Sequence, residues 1–209
     1  MTSSTEQTVF IVDDDVAVRD ALALLLGLKG YRTSIYSSAE DFLAAFRKEW
    51  RGCLVLDIKM GGMSGLDLQA RLSEQGAEIP VVMITGHGDA ASARLALKSG
   101  AIDFLEKPID DAQLVVAVAA ALERDAKRRA ERSEGDEAST RLSRLTPRER
   151  QVMDLAAAGR HNREIGEALG ISPRTVEVYK ARLMEKLQAR NLSELIRFAL
   201  TADRERTAS

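Results

Sequence analysis

The chain has 209 residues, of which 45% are hydrophobic and 30% charged, a balance that excludes wholesale disorder and allows two modest domains. No apolar run approaches the roughly 20 residues of a membrane-spanning helix, and the first residues lack a secretory signal, so we expect a cytoplasmic protein. Residues 1–140 carry 16 Lys and Arg against 23 Asp and Glu, whereas residues 141–209 carry 14 against 9, which favours a polyanionic partner for the C-terminal part.

From residue 9 to about 122, short apolar runs alternate with amphipathic helical patterns, which is typical of βα units around a parallel sheet. The predicted fold class is therefore α/β, with a doubly wound five-stranded parallel sheet in a domain spanning 8–122. Cys53 lies in one of the apolar runs and is expected to be buried. The predicted strands are Val9–Val12, Thr33–Tyr36, Leu54–Asp57, Val81–Thr85 and Asp103–Glu106, and the predicted helices are 15–28, 39–47, 64–74, 89–99 and one from 110 onward.

The last of these helices is predicted to run past the sheet. Its apolar stripe ends at Leu122, and residues 123–132 are almost entirely charged, so they have little to pack against. A solvated extension and a short coiled coil are both open, although the coiled coil lacks three heptads. Residues 133–140 are rich in Ser, Gly, Asp and Glu and predict a flexible linker. The extension and linker together occupy 123–140.

Residues 141–206 are predicted to form a second, all-α domain of four helices. Thr146-Pro147 and Ser172-Pro173 each place a capping residue before a proline, so helices are expected to begin at 147 and 173. Asn162 is expected to open another helix, and Asn191 the last one.

A helix-turn-helix is predicted between residues 162 and 187, with its tight turn at Gly170. In the second helix, apolar residues recur on one face, which should be buried. The opposite face has small or basic residues toward its N-terminal half, as a helix entering the major groove of DNA requires, although such a face could also be merely solvated. The buried face consists of Val176, Tyr179, Leu183 and Leu187, and the opposite face of Arg174, Glu177, Val178, Ala181, Arg182 and Glu185.

Polar side chains stand where the predicted strands of the first domain end. The carboxyl ends of parallel strands share one edge of the sheet, so these side chains should lie together. Crowded carboxylates repel one another unless a cation sits among them, and Mg²⁺ prefers such oxygen ligands. Asp57, alone at its strand end, is the best candidate to attack a phosphoryl group and form an acyl phosphate. The set consists of Asp13, Asp14, Asp57, Thr85 and Lys107.

These segments resemble the receiver domain of response regulators. The resemblance implies that Asp57 accepts a phosphoryl group from a sensor histidine kinase, with Mg²⁺ bound by Asp14, Asp57 and the backbone carbonyl of Lys59. It further implies that Asp13 holds the ion through water. The matching segments are Phe10–Asp15, Leu54–Met60, Met63–Gly65, Ile84–Gly88 and Gly100–Pro108.

The same resemblance implies a switch. Thr85 would bond one phosphoryl oxygen and Lys107 would pair with another, while Phe104 matches the family's switch aromatic, although its position alone also fits an ordinary core residue. In this family the charge change reshapes the surface around the helix that corresponds to the predicted helix 89–99 and around the fifth strand, and this surface becomes a dimer interface.

One loop departs from the family pattern. The family often has Pro four residues after the phosphorylated Asp, whereas this chain has Gly61 followed by Gly62. Two glycines predict a more mobile loop at 60–63 and weaker Mg²⁺ binding. Lys59 and His87 lie at the family's variable flanking positions.

The segment Leu145–Leu200 resembles the LuxR-type DNA-binding domain, with Tyr179 where His is often seen. Both domains together resemble the FixJ and StyR branch of response regulators. Two such modules on a dimer would read half-sites roughly 34 Å apart. The resemblance implies DNA contacts from Arg174, Thr175, Glu177, Val178, Lys180, Ala181 and Arg182.

The predicted function is that of a transcription factor switched by phosphorylation. Its expected partners are a sensor kinase, promoter DNA, a second copy of the chain and RNA polymerase, with no membrane partner and no enzymatic turnover beyond its own phosphoryl transfer. One alternative is a phosphohydrolase, which needs a second Asp two residues after the nucleophile, where Lys59 stands. Another is a DNA-binding protein that ignores the kinase and uses the receiver only to dimerise.

Overall fold

The computed structural model describes residues 7–86, 100–191, 193–196 and 198–200. The chain divides into two units, Met1–Arg129 and Ala130–Ser209. The helix predicted at 89–99 and His87 lie outside the described residues. Within the described ranges, no helix has the length and apolarity needed to cross a membrane.

A five-stranded parallel sheet forms the centre of the first unit, which confirms the predicted α/β fold. The strand order is β2-β1-β3-β4-β5, so the first and third strands lie side by side. Strands β3 and β4 are buried along their whole length because helices cover both faces of the sheet, and their apolar runs extend to the polar residues Asp57 and Thr85 at their ends. The strands are β1 (Thr8–Val12), β2 (Arg32–Tyr36), β3 (Gly52–Asp57), β4 (Val81–Thr85) and β5 (Asp103–Glu106).

The described helices of this unit cover both faces of the sheet. Leu26 and Leu114 belong to the core on one face, and Phe42 and Leu68 to the core on the other. Ser64 caps one helix by accepting the N–H of Asp67 at 3.2 Å, as its spacing predicted. The helices are α1 (Val16–Leu28), α2 (Ala39–Ala45), α3 (Gly65–Glu74) and α4 (Asp111–Leu142).

Helix α4 is longer than predicted. It continues without a break through 133–140, so the prediction of a flexible linker there is wrong. The segment contains no proline, and the ion pair Arg141–Glu137, at 3.3 Å, spans one helical turn. Leu142 at the end of the helix is fully buried in the core of the second unit, which stabilises the last turns.

The charged part of α4 also has more to pack against than expected. Asp125 is only 1% exposed and accepts hydrogen bonds from the backbone N–H of Gly52 at 3.0 Å and from the amide of Gln7 at 3.3 Å. Arg128 and Arg129 donate to the same carboxylate at 3.0 Å, because residues three and four apart share a helix face. The expectation of a solvated extension is therefore wrong for this turn, which is anchored beneath the amino ends of β1 and β3.

Cys53 lies in β3 and is fully buried, as predicted. Burial, together with the negative charge of the nearby Asp125, raises the pKa of its thiol to about 12.

The second unit consists of the end of α4 and further helices around a separate apolar core. Thr146 and Glu149 form a capping box, in which the Glu149 N–H donates to the Thr146 hydroxyl at 3.2 Å and the Thr146 N–H donates to the Glu149 carboxylate at 2.8 Å. Both helices expected to start at prolines do so. The helices are α5 (Pro147–Ala157), α6 (Asn162–Leu169), α7 (Pro173–Leu187) and a last one, α8, whose described residues are 193–196 and 198–200.

Candidate functional site

Three carboxylates meet at the carboxyl edge of the sheet. Asp13 follows β1 and Asp57 ends β3, and these neighbouring strands bring the two side chains together. Ligand oxygens of Asp13, Asp14 and Asp57 all lie within 4.8 Å of one another. Asp13 and Asp57 are 0% and 3% exposed, whereas Asp14 faces solvent. The predicted cluster is therefore present, with two buried carboxylates and one exposed.

Lys107 supplies the positive charge of this cluster. Its Nζ lies 2.8 Å from Oδ2 of Asp13 and 3.2 Å from Oδ1 of Asp57, so two carboxylates share one ammonium group. The backbone N–H of Lys107 donates to the carbonyl of Thr85 at 2.9 Å, which places this lysine beside the end of β4.

Burial and the neighbouring charges shift the pKa values of two groups in this cluster. Burial raises the pKa of Asp57 to about 6, and the charges of Asp13 and Asp14 add to the increase although Lys107 opposes it. Burial would lower the pKa of Lys107, but its hydrogen bond to Asp13 and the charges of Asp57 and Asp13 outweigh burial and raise it. Three carboxylates facing one ammonium group fit a hard divalent cation, whose preferred ligands are such oxygens.

Thr85 and Phe104 occupy different environments. Thr85 is 3% exposed, and its hydroxyl donates to the Gly86 carbonyl at 3.3 Å. Phe104 is 38% exposed, so it is not the ordinary core residue that its position in β5 also allowed. Lys59 lies exposed in the loop after β3, and the role of its carbonyl as a metal ligand stays a prediction.

The loop that follows β3 is held by two carboxylates. The N–H of Gly61 donates to Oδ2 of Asp14 at 2.8 Å, and the N–H of Met63 donates to Oε1 of Glu40 at 2.8 Å. The mobile loop with weaker Mg²⁺ binding stays a prediction, and these two hydrogen bonds argue against it. Glu40 was missed by the sequence reasoning because it lies on α2, far from the loop in sequence.

The candidate DNA-binding surface is the outer face of α7. Val176, Leu183 and Leu187 are fully buried, as predicted, and Tyr179 is half-buried. The turn before α7 is tight, since Gly170 has a φ of +64°. Of the predicted DNA contacts, Thr175 and Lys180 are half-buried, and those exposed to solvent are Arg174, Glu177, Val178, Ala181 and Arg182.

Asn162 connects two of these residues. The Nζ of Lys180 donates to Oδ1 of Asn162 at 2.7 Å, and Nδ2 of Asn162 donates to Oε1 of Glu177 at 3.4 Å. The sequence identified Asn162 only as the start of a helix, and no local signal indicates a contact across the turn.

Comparison with known families assigns both units. The model of the response regulator receiver domain matches residues 9–119, and that of the luxR family of bacterial regulatory proteins matches residues 143–199. The chain therefore belongs to the response regulators that combine a receiver with a LuxR-type DNA-binding domain. It is a phosphorylatable transcription regulator and not a classical enzyme.

Individual relatives match nearly the whole chain. The transcriptional regulatory protein FixJ of Azorhizobium caulinodans is 46% identical over 93% of this chain and 92% of its own length. FixJ of Rhizobium meliloti is 42% identical over 94% of this chain and 96% of its own length. The solved structure of the response regulator StyR superposes with a TM-score of 0.83 and 41% identity, covering 92% of this chain and 98% of StyR.

Proposed function

We propose that Asp57 is the phosphoacceptor through which a sensor histidine kinase controls DNA binding by this regulator. The observation that carries the proposal is the ammonium group of Lys107 shared between Asp13 and Asp57. Because this ammonium group already lies 3.2 Å from Oδ1 of Asp57, it could pair with an oxygen of a phosphoryl group bound to Asp57.

The cluster fits Mg²⁺ by the chemistry of its donors. Asp14, Asp57 and the backbone carbonyl of Lys59 would hold the ion, with Asp13 acting through water. When bound, the ion offsets the negative charge of the transferring phosphoryl oxygens.

The residues of the chain then have distinct parts in the transfer. An oxygen of Asp57 forms a bond to phosphorus while the bond from phosphorus to the histidine nitrogen of the kinase breaks, and that nitrogen keeps the electron pair. Lys107 pairs with one phosphoryl oxygen and the Thr85 hydroxyl donates to another. Phe104 is exposed in the neighbouring strand β5, where it pairs with Met83, two residues before Thr85, and it turns inward when the hydroxyl moves.

The output is a dimer that binds promoter DNA in the cytoplasm and acts on RNA polymerase. Base contacts come from Glu177, Val178 and Ala181 on the exposed face of α7. Arg174, Thr175, Lys180 and Arg182 contribute phosphate or base contacts.

Phosphorylation is tested by incubating the full chain with a small phosphoryl donor and Mg²⁺ and measuring intact mass. The wild type should gain one phosphoryl group, and Asp57→Asn should gain none. Asp20→Asn, a matched change at an exposed aspartate of α1, should be labelled like the wild type. Labelling of Asp57→Asn at the wild-type level would reject Asp57 as the acceptor. If phosphorylation of the wild type left its affinity for promoter DNA unchanged, a DNA-binding protein that does not depend on the kinase would be favoured.

DNA contacts are tested by Arg174→Ala and Arg182→Ala. Each variant that loses a phosphate contact should lower the slope of log K against log salt by about one. Lys48→Ala, which removes an exposed charge from the first unit, should leave the slope unchanged. Unchanged affinity and slope in both arginine variants would remove them from the interface.

A further inference from the structure

The loop after the phosphoacceptor strand contains a backbone donor that only some residue types can supply. The N–H of Gly61 lies 2.8 Å from Oδ2 of Asp14, whose carboxylate belongs to the acidic cluster. A carboxylate has about four acceptor positions, so this hydrogen bond leaves Asp14 free to face a cation as well. Proline has no N–H and could not make the same contact.

The backbone at Gly61 does not itself require glycine. Its φ lies outside the left-handed region, and a Cβ at this position would meet Oδ2 of Asp14 at 3.8 Å, an ordinary van der Waals distance. An alanine would therefore fit and would keep the N–H. What position 61 contributes is the donor, not conformational freedom.

The next glycine has the opposite property. Gly62 has a φ of +89°, and a Cβ there would lie 2.8 Å from Oε1 of Glu40. The same Glu40 oxygen accepts the N–H of Met63 at 2.8 Å. The carboxylate of Glu40 thus packs closely against Gly62 and fixes the far side of the loop, while Asp14 fixes the near side.

We propose that the N–H of Gly61 is a positioning group for the divalent cation: it orients the carboxylate of Asp14 toward the acidic cluster, and Glu40 holds the loop that carries it. This inference rests on the proposed metal site. Hydrogen bonds to metal-ligating carboxylates orient these ligands, and losing such a partner typically lowers metal affinity 10- to 100-fold. The two-glycine loop is therefore an ordered part of the metal site.

The test is a calorimetric titration of the full-length chain with Mg²⁺ for a matched pair of variants. Gly61→Ala keeps the N–H and should bind Mg²⁺ within about twofold of the wild type, whereas Gly61→Pro loses it and should bind about tenfold more weakly. The free energy of unfolding in EDTA serves as the folding control, since a purely structural effect would lower it together with the affinity. Binding by Gly61→Pro as tight as that of Gly61→Ala, with both folded, would overturn the inference.

A second arm covers the case in which Gly61→Pro does not fold. Glu40→Gln keeps an acceptor oxygen for Met63 and should retain Mg²⁺ affinity, whereas Glu40→Ala removes the acceptor and should weaken binding several-fold. Equal affinity for the two Glu40 variants would contradict the role of the loop. If the wild type binds no Mg²⁺, the proposed metal site is rejected. If the wild type binds Mg²⁺ and the loop variants bind it equally well, only the role of the loop is rejected.

Discussion

The two ends of the central sheet each bury a carboxylate, but they treat it differently. At the amino ends of β1 and β3, Asp125 accepts hydrogen bonds from four groups, belonging to Gln7, Gly52, Arg128 and Arg129. At the carboxyl ends of the same strands, Asp13 and Asp57 share the single ammonium group of Lys107.

This difference separates a structural charge from a reactive one. A buried carboxylate is tolerated when hydrogen bonds and opposite charges satisfy its oxygens, as they do around Asp125. Around Asp57 the described residues set the Lys107 ammonium group against three clustered carboxylates, and burial, the main cause, together with the charges of Asp13 and Asp14 raises the pKa of Asp57 to about 6. The under-satisfied end can accept a cation and a phosphoryl group, whereas the satisfied end fixes a helix.

The largest effect on the free energy of unfolding should come from removing the carboxylate of Asp125 at the amino end of the sheet. Asp125→Ala leaves the N–H of Gly52 and two arginines without their carboxylate, so the free energy of unfolding should fall by about 3 to 5 kcal/mol. Asp136→Ala, at an exposed aspartate of the same helix, should change it by less than about 0.5 kcal/mol. Urea denaturation measures the free energy of unfolding of both variants. Equal values for Asp125→Ala and Asp136→Ala would contradict the idea that Asp125 and its hydrogen-bond donors anchor α4.

At the carboxyl end of the sheet, removing the charge of Asp57 should raise the free energy of unfolding. The pKa of Asp57 is about 6 in the folded protein against an ordinary 3.8, mainly because of burial. The folded state therefore binds a proton between these pH values that the unfolded state has released, so stability falls as the pH rises from about 4 through 6.

Asp57→Asn cannot ionise and should escape this loss. In EDTA it should be more stable than the wild type by about 2 to 3 kcal/mol at pH 7.5, and no more stable at pH 4. Denaturation curves at the two pH values test this, and a stability difference that does not depend on pH would refute it.

The smallest predicted effect is the stabilisation of the protein by Mg²⁺, which should depend on the carboxyl end of the sheet and not on the amino end. At ten times its dissociation constant, Mg²⁺ should stabilise the wild type by about 1.4 kcal/mol. Asp125→Asn should gain the same increment from its own lower baseline, whereas Asp57→Asn should gain clearly less. Thermal unfolding with and without Mg²⁺ provides the measurement, and a lost increment in Asp125→Asn would show that the two ends are coupled.

The sheet and the acidic cluster could be predicted because their signals are local. Runs such as Cys53–Leu56 are apolar throughout, and the ends of parallel strands share an edge. The strands and helix starts therefore followed from patterns a few residues long. The gathering of Asp13, Asp57 and Lys107 needed only the topology that these strands imply.

The contacts that sequence reasoning missed join distant positions or involve the backbone. Asp125 meets Gly52 across 73 positions, and a charged run gives no sign of such a partner. The donor at Gly61 is a main-chain N–H, which side-chain patterns do not reveal. The prediction of a linker at 133–140 was wrong because Ser, Gly, Asp and Glu are also found in exposed helices, and the burial of Leu142, which stabilises the last turns, is a tertiary contact that composition does not reveal.

The single cysteine of the chain makes it convenient for spectroscopic labelling. Cys53 is fully buried and its thiol has a pKa of about 12, so it should stay protonated and inaccessible to maleimides or spin labels. A cysteine introduced at the exposed Ala181 would then react alone, with the unmodified protein as its blank. Protection of that new thiol by promoter fragments would report occupancy of α7 without any further substitution.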